Sequence, residues 1–196
     1  MSVQHQYQQM SVDDYLNFEL SSDIKHEFID GEIIAMTGAS VNHNRIVGNV
    51  FASFYDHLKS SLCEVFMNDM KLKLLNEYRY PDLMAVCDKN FMDDNYATEK
   101  PLIIVEVLSK STRKEDTTRK LLSYLNIPTL QEYVLIEQDL VSVMVMRKSN
   151  HWTPVYYYLE NAVYFESIDL SMKVEDIYRR VENDDMKVFL QKAIEG

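Results

Sequence analysis

The sequence predicts a mixed α/β protein, and three observations carry that expectation. From about Asn42 to Ser60 apolar residues recur at three and four, the pattern of one helix face. The run PLIIVEVL at 101–108 is short, apolar and β-branched, as in a strand covered on both sides. Helical and strand-like segments alternate along the chain without a repeat, a low-complexity tract or a Pro/Gly linker, and only four glycines are present. With 196 residues the chain has the length of one domain and can bury a sizeable core.

The elements follow in order. A helix is expected from near Ser11, an N-cap residue followed by Asp13 and Asp14 where the helix dipole favours acids; it carries Tyr15, Leu16 and Phe18. HEFID and EIIAMTG flank Asp30-Gly31, a pair that tolerates positive φ, and predict a hairpin. Ile46, Val47, Val50, Phe51, Phe54 and Leu58 then mark a helix long enough to cross a sheet and pack on its face. Strands are expected at roughly 63–67, 70–75 and 80–87, followed by the polar loop DKNFMDDNYATEK and the strand 101–108. A second helix should run from about 113 to 126 and stop before Pro128, because the residue ahead of a proline disfavours helix. EYVLIEQ and VSVMVMRK read as a strand pair around Asp139, HWTPVYYYLE continues the β character, and the last ~25 residues return to helix.

Composition narrows the class. Hydrophobic residues at 46% and charged residues at 26% are globular values, and no apolar run approaches the ~20 residues of a spanning helix. MSVQHQYQQM has no charged segment leading into an apolar one, so no secretory signal is expected and the chain is placed in the cytoplasm, away from the membrane. Cys63 and Cys87, lone cysteines in apolar segments, are expected to be reduced core residues. The net charge of −11 argues against broad adhesion to nucleic acid, while leaving room for a local basic site.

The chemistry starts at Glu106. Side chains alternate along a strand, so Leu102, Ile104, Glu106 and Leu108 share one side and Ile103, Val105 and Val107 the other. An ionised carboxylate there is expensive unless it is paired, hydrogen-bonded or bound to metal. Pro81-Asp82 opens the preceding strand with a second acid. Asp82 and Glu106 on neighbouring strands could share one magnesium ion, or manganese, as hard oxygen ligands. The alternatives are a turn residue for Asp82 and an Arg-paired structural acid for Glu106.

These residues belong to a wider frame. Pro81-Asp82, 23 intervening residues and Glu106-Val107-Leu108 look like the PD-(D/E)XK nuclease signature without its lysine. HEFIDGEI, a helix beginning near His43, YPDLMAVCD, PLIIVEVLSKST, the spacing Asp116, Lys120, Tyr124, and IPTLQEYVLIEQ together resemble the Uma family of putative restriction endonucleases across about residues 11–140. The resemblance implies a restriction-endonuclease-like core, a mixed β-sheet flanked by helices. It frames 1–196 as a single nuclease-like domain, with its core at about 11–140 and C-terminal strands and helix at about 141–196. It also implies a magnesium-dependent endonuclease on DNA that leaves a 5'-phosphate.

Leu108 stands where the superfamily pattern has its lysine, and leucine cannot take or donate a proton. Lys110 has the right parity but lies four residues past Glu106, ~13 Å along an extended strand. Lys120 is the better candidate: Asp116, Lys120 and Tyr124 line one helical stripe beside the apolar Leu121, Leu122 and Leu125. The resemblance points to the same position, where a lysine would orient or deprotonate water and offset phosphate charge; a solvated helix lysine is the competing reading. Glu27 and Glu32, either side of the hairpin turn, are candidates for a further acid, with Glu27 the closer match to the family's early acid. His43, at a helix start, is an auxiliary candidate that could donate to a phosphate or touch the metal. Lys110, Arg113, Lys114, Arg119 and Lys120 outnumber Glu115 and Asp116 by three, and the first four are candidate contacts to a nucleic-acid backbone. A homodimer through the Tyr-rich C-terminal strands is expected. The rival reading is a catalytically weak nuclease-fold module that binds nucleic acid or protein.

Overall fold

The computed structural model describes residues 10–88, 96–109 and 113–195. It opens with α1 (Val12–Ser21), whose N-cap Ser11 accepts from the Asp14 amide, and the hairpin of β1 (His26–Ile29) and β2 (Glu32–Ala35). Asp30 and Gly31 take positive φ at 49° and 94°, as the tight connection requires. Next comes α2 (Val41–Leu58), then β3 (Glu64–Met67), β4 (Lys71–Lys73), β5 (Glu77–Arg79), β6 (Leu83–Val86), β7 (Ala97–Thr98) and β8 (Ile103–Leu108). Two short helices, α3 (Arg113–Asp116) and α4 (Arg119–Leu125), lead to β9 (Glu132–Glu137), β10 (Val143–Arg147) and β11 (Val155–Tyr157). The chain continues through β12 (Ala162–Phe165), β13 (Leu170–Lys173), α5 (Val174–Ile177) and α6 (Asp184–Glu195).

The strands form a six-stranded sheet in the order β11-β10-β9-β8-β6-β3, a five-stranded sheet in the order β2-β1-β5-β4-β7, and the β12-β13 hairpin. In the larger sheet β8 is central, antiparallel to β6 and parallel to β9. A parallel neighbour needs a crossover, which α3 and α4 supply. The two faces of β8 behave as alternation requires. Ile103, Val105 and Val107 join Ile46, Val50 and Phe54 of α2 in one core. Ile104 and Leu108 join Met84, Tyr124, Tyr133 and Leu72 in the other. A third cluster of Tyr15, Phe28 and Tyr78 holds α1 against the smaller sheet. Each fully buried large side chain contributes roughly 1.5–3 kcal/mol relative to exposure.

Three expectations are corrected. The helix expected over about 113–126 is two helices, broken at Thr117 and Thr118. Both hydroxyls turn back onto the preceding turn, Thr117 Oγ1 donating to the Arg113 carbonyl at 2.7 Å and Thr118 Oγ1 to that of Lys114. Two adjacent β-branched residues bonded this way compete with the helical ladder, and Thr118 leaves helical geometry at φ −126°, ψ −80°. The span expected as one strand from 80 to 87 is shorter, because Tyr80 and Pro81 carry the chain from β5 in one sheet to β6 in the other. The cysteines are not free thiols: Cys63 and Cys87 are disulfide-bonded. The register Glu64↔Val86 explains this, since one step outward places the two cysteines opposite each other. Among the described residues, no helix is long and apolar enough to cross a membrane.

Candidate active site

Register brings the two acids together. Leu83 pairs with Val105, so one residue earlier Asp82 lies opposite Glu106. The Val107 amide donates to Asp82 Oδ2 at 2.7 Å, and the Asp82 amide donates to Glu106 Oε2 at 3.4 Å. Each carboxylate is thus anchored on the other's strand. His43 reaches the same place: Ser40 caps α2 by accepting from the His43 amide at 3.1 Å, and His43 Nε2 lies 3.0 Å from Asp82 Oδ2.

On the other side of Glu106 stands α4. Lys120 Nζ and the Tyr124 hydroxyl both donate to Glu106 Oε1 at 3.1 Å. Lys120 also lies 3.1 Å from Asp116 Oδ1 and 3.5 Å from Glu27 Oε1. The stripe Asp116, Lys120, Tyr124 survives the helix break because Tyr133 Oη donates to the Asp116 carbonyl at 3.0 Å. Glu27 arrives from the smaller sheet: alternation along β1 turns Phe28 toward α1 and Glu27 inward. There Glu27 meets Arg79 Nη1 at 3.5 Å and accepts from the Tyr80 amide at 3.2 Å. Arg79 is fully buried, and its Nε is 2.8 Å from Glu77.

Among the described residues the network therefore holds five carboxyl groups, those of Glu27, Glu77, Asp82, Glu106 and Asp116, against the cations Arg79 and Lys120. Burial raises the Glu106 carboxyl; Lys120 opposes that and Asp82, Asp116 and Glu27 add to it, so the group is pushed up to about 8. Burial alone would lower Lys120, but Glu106, Glu27 and Asp116 outweigh it and hold the ammonium well above the usual lysine range. With Glu106 protonated its pull on Lys120 fades, yet Glu27 and Asp116 remain, so Lys120 stays charged at neutral pH. A lysine so held is a fixed cation rather than a base that takes a proton from water.

A divalent cation suits this donor set. Asp82 and Glu106 present two adjacent carboxyl groups amid surplus acids, and Asp82, with 18% of its side chain exposed, is reached by solvent. Among the described residues no group of three or more His, Cys, Asp and Glu side chains is arranged to hold a metal. Protein ligation by two carboxylates is what magnesium accepts while keeping several waters.

The other sequence candidates fall elsewhere. Glu32 is exposed at the start of β2 and is not part of the cluster. Arg113 is ion-paired to Glu137 at the end of β9, while Lys114 and Arg119 are exposed on α3 and α4. Lys110 lies outside the described residues. Arg79 went unnoticed in the sequence, although an arginine between two tyrosines in the strand leading to Pro81-Asp82 is the signal that could have found it. Of two surface cavities, one of 440 Å³ lies beside α6, and one of 640 Å³ along 73–77 and 126–128 reaches Glu77 at the margin of the network; neither is lined by Asp82 or Glu106.

Comparison with known proteins bears on the fold and the family. Two proteins of Synechocystis sp. (strain ATCC 27184 / PCC 6803 / Kazusa) are similar. Uncharacterized protein slr1290 is 33% identical over 177 residues, covering 88% of this chain and 93% of that protein. Uncharacterized protein sll1609 is 40% identical over 129 residues, 64% of this chain and 73% of that protein. The crystal structure of a putative nuclease belonging to DUF820 from Anabaena variabilis ATCC 29413 superposes with a TM-score of 0.74 at 17% identity. It covers 86% of this chain and 97% of that one, a likeness of fold. The family model Uma2, described as putative restriction endonuclease, matches residues 12–174, and the chain belongs to that family.

Proposed function

We propose that the chain is a magnesium-dependent nuclease that hydrolyses phosphodiester bonds in DNA, with 1–196 acting as one nuclease-like domain. The observation that carries this reading is the interlocked pair of Asp82 and Glu106, in a buried network whose acids outnumber its cations. Asp82 and Glu106 would hold the ion, which when bound supplies Lewis acidity toward a phosphate oxygen and a water. Lys120 keeps Glu106 oriented and adds a fixed positive charge beside a phosphate. His43 holds Asp82 through Nε2, and Glu27 helps to fix the Lys120 ammonium. The exposed Lys114 and Arg119, and Arg113 once released from Glu137, would meet the backbone of the substrate. A homodimer through the C-terminal strands belongs to the same reading, since β11 is a sheet edge with Tyr156 exposed. Sedimentation equilibrium tests that part.

The test is cleavage of supercoiled plasmid and of single-stranded DNA with magnesium or manganese, beside calorimetric metal titration. Wild type should cut, Asp82→Asn and Glu106→Gln should neither cut nor bind metal, and Lys120→Ala should bind metal but cut at least 100-fold more slowly, at roughly the scale of one lost transition-state charge contact. Wild-type protein that neither binds these metals nor cuts any substrate rejects the proposal. A second reading, a nuclease-fold module that binds without cutting, is favoured by Leu108, which is 3% exposed in the core where the signature has lysine. Binding of DNA by an inactive wild type would select it.

A further inference from the structure

The surface beside Asp82 carries a cation of a different kind from those on α3 and α4. Lys71 opens β4 and is 9% exposed, so its stem is buried. Its ammonium lies 5.7 Å from the centre of the Tyr80 ring and 5.9 Å from that of Tyr96, and among the described residues no carboxylate lies within ion-pair distance of it. Lys25 stands over the same Tyr80 ring at 5.9 Å, but it is paired with Asp69.

The tyrosines are held in place. Tyr80 is 4% exposed, and its hydroxyl donates to Glu19 at 3.0 Å. Glu19 also accepts from the His26 amide at 2.9 Å and lies 3.1 Å from His26 Nδ1, so it is committed within its own cluster. The Tyr96 carbonyl accepts from the Lys71 amide at 3.2 Å, tying that ring to β4. Tyr96 itself is 66% exposed.

The patch adjoins the segment that carries Asp82. Tyr80 precedes Pro81-Asp82, and the Asn68 amide donates to the Asp82 carbonyl at 3.2 Å, so the segment leading into Lys71 borders Asp82. Two aromatic faces replace part of the water an ammonium loses on burial, but they do not neutralise it. In a chain of net charge −11 with 31 acids, a lysine of which only 9% is exposed, with no acid partner among the described residues, is set to receive an anion from outside.

We propose that Lys71, held between Tyr80 and Tyr96, is a phosphate-binding residue that seats the nucleic-acid backbone next to Asp82. Tyr96 offers its exposed ring to an unstacked base of the same strand. The inference rests on the nuclease reading above, since it takes its ligand from it. Lys71 would position the substrate and touch none of the reacting atoms.

The test uses the full chain in chelator, so that nothing is cut, with a fluorescent 16-nucleotide single strand and the matching duplex followed by anisotropy across salt concentrations. Lys71→Gln should weaken binding about 5- to 10-fold and reduce the slope of log affinity against log salt by about 1, while Lys71→Arg keeps most of both. Lys59→Gln, at an exposed Asp56-paired site at the end of α2, should bind as wild type does. The melting temperature of Lys71→Gln should stay level or rise, because an unpaired cation is removed from a partly buried position. Wild-type affinity and salt slope in Lys71→Gln, with wild type binding normally, overturns the Lys71 assignment and leaves the nuclease reading standing. A large fall in melting temperature for both Lys71→Gln and Lys71→Arg makes the residue structural and also overturns it. Absence of binding by wild type in chelator overturns this inference, because Lys71 then seats nothing, and leaves the nuclease reading to the metal titration and the cleavage assay.

Discussion

Glu106→Gln in metal-free protein isolates the cost of keeping a carboxyl group in the centre of the sheet. In the folded chain Glu106 holds its proton to about 8, against an ordinary value of 4.5 for the unfolded chain. Below the lower value both states are protonated and the group leaves stability unchanged. As pH rises between the two values, the unfolded chain ionises freely while the folded chain does not, so the folded state binds more protons and stability falls. Each pH unit of that gap is worth about 1.4 kcal/mol, about 5 kcal/mol in all. Relaxation of Lys120 and the surrounding acids brings the expected loss to about 2–4 kcal/mol between about pH 5 and pH 8. Gln keeps the shape and an acceptor for Lys120 and Tyr124 but cannot ionise, so its variant should lose less over that range and be the more stable protein at the upper end. Urea denaturation in chelator at half-unit pH steps measures both curves, and their difference cancels the other titrating groups. Parallel curves for wild type and variant would refute the argument that burial and neighbouring acids keep Glu106 protonated.

Lys120→Met strips the ammonium from Glu106, Asp116 and Glu27 and should cost about 3–5 kcal/mol at pH 8, read by urea denaturation, and less near pH 5 where Glu106 is neutral. Tyr124→Phe removes one buried hydroxyl from Glu106 and should cost about 1–2 kcal/mol in the same assay. Arg79→Met leaves Glu27 and Glu77 without the guanidinium between them and should cost about 3–5 kcal/mol, seen as a matching fall in the urea midpoint. Leu108→Lys buries a second ammonium among Ile104, Tyr124 and Leu135, so its melting temperature should fall and its plasmid cleavage should not rise; a stable and faster variant would return the lysine role to position 108.

Much of the scaffold was legible because periodicity reports burial. The two faces of 101–108 fell as alternation required, since a central strand has apolar cover on both sides. Lys120 was reachable because four-residue spacing is a property of the helix itself, and α4 begins early enough to include both Lys120 and Tyr124. What the hairpin could not disclose was which glutamate faced inward, because one residue of register exchanges the faces of a strand. The break at Thr117-Thr118 was equally hidden: hydroxyls returning to the previous turn compete with the ladder only when tertiary contacts, here Tyr133 on the Asp116 carbonyl, make the bend worthwhile. The disulfide and the acid partners of Arg79 depend on strand neighbours set by pairing, which no local pattern encodes, even though the tyrosines on either side of Arg79 mark its position.

Moving the ammonium from the strand to a helix changes what holds it in place. A lysine two residues after Glu106 would be positioned by the β8 backbone alone. Lys120 is positioned by α4, and α4 is held by Tyr124 and Leu121 against Leu72, Tyr133 and Leu135, with its entry fixed by the Tyr133 hydroxyl. Its ammonium then touches acids from β1, β8 and the end of α3, so one group ties the smaller sheet to the larger one. Leu108, apolar and 3% exposed, packs into the core with Ile104 and Tyr124. The apolar Leu108 and the lysine on the helix therefore belong to one packing arrangement: the face of β8 that carries Leu108 is covered by α4, and α4 in turn sets its ammonium against Glu106.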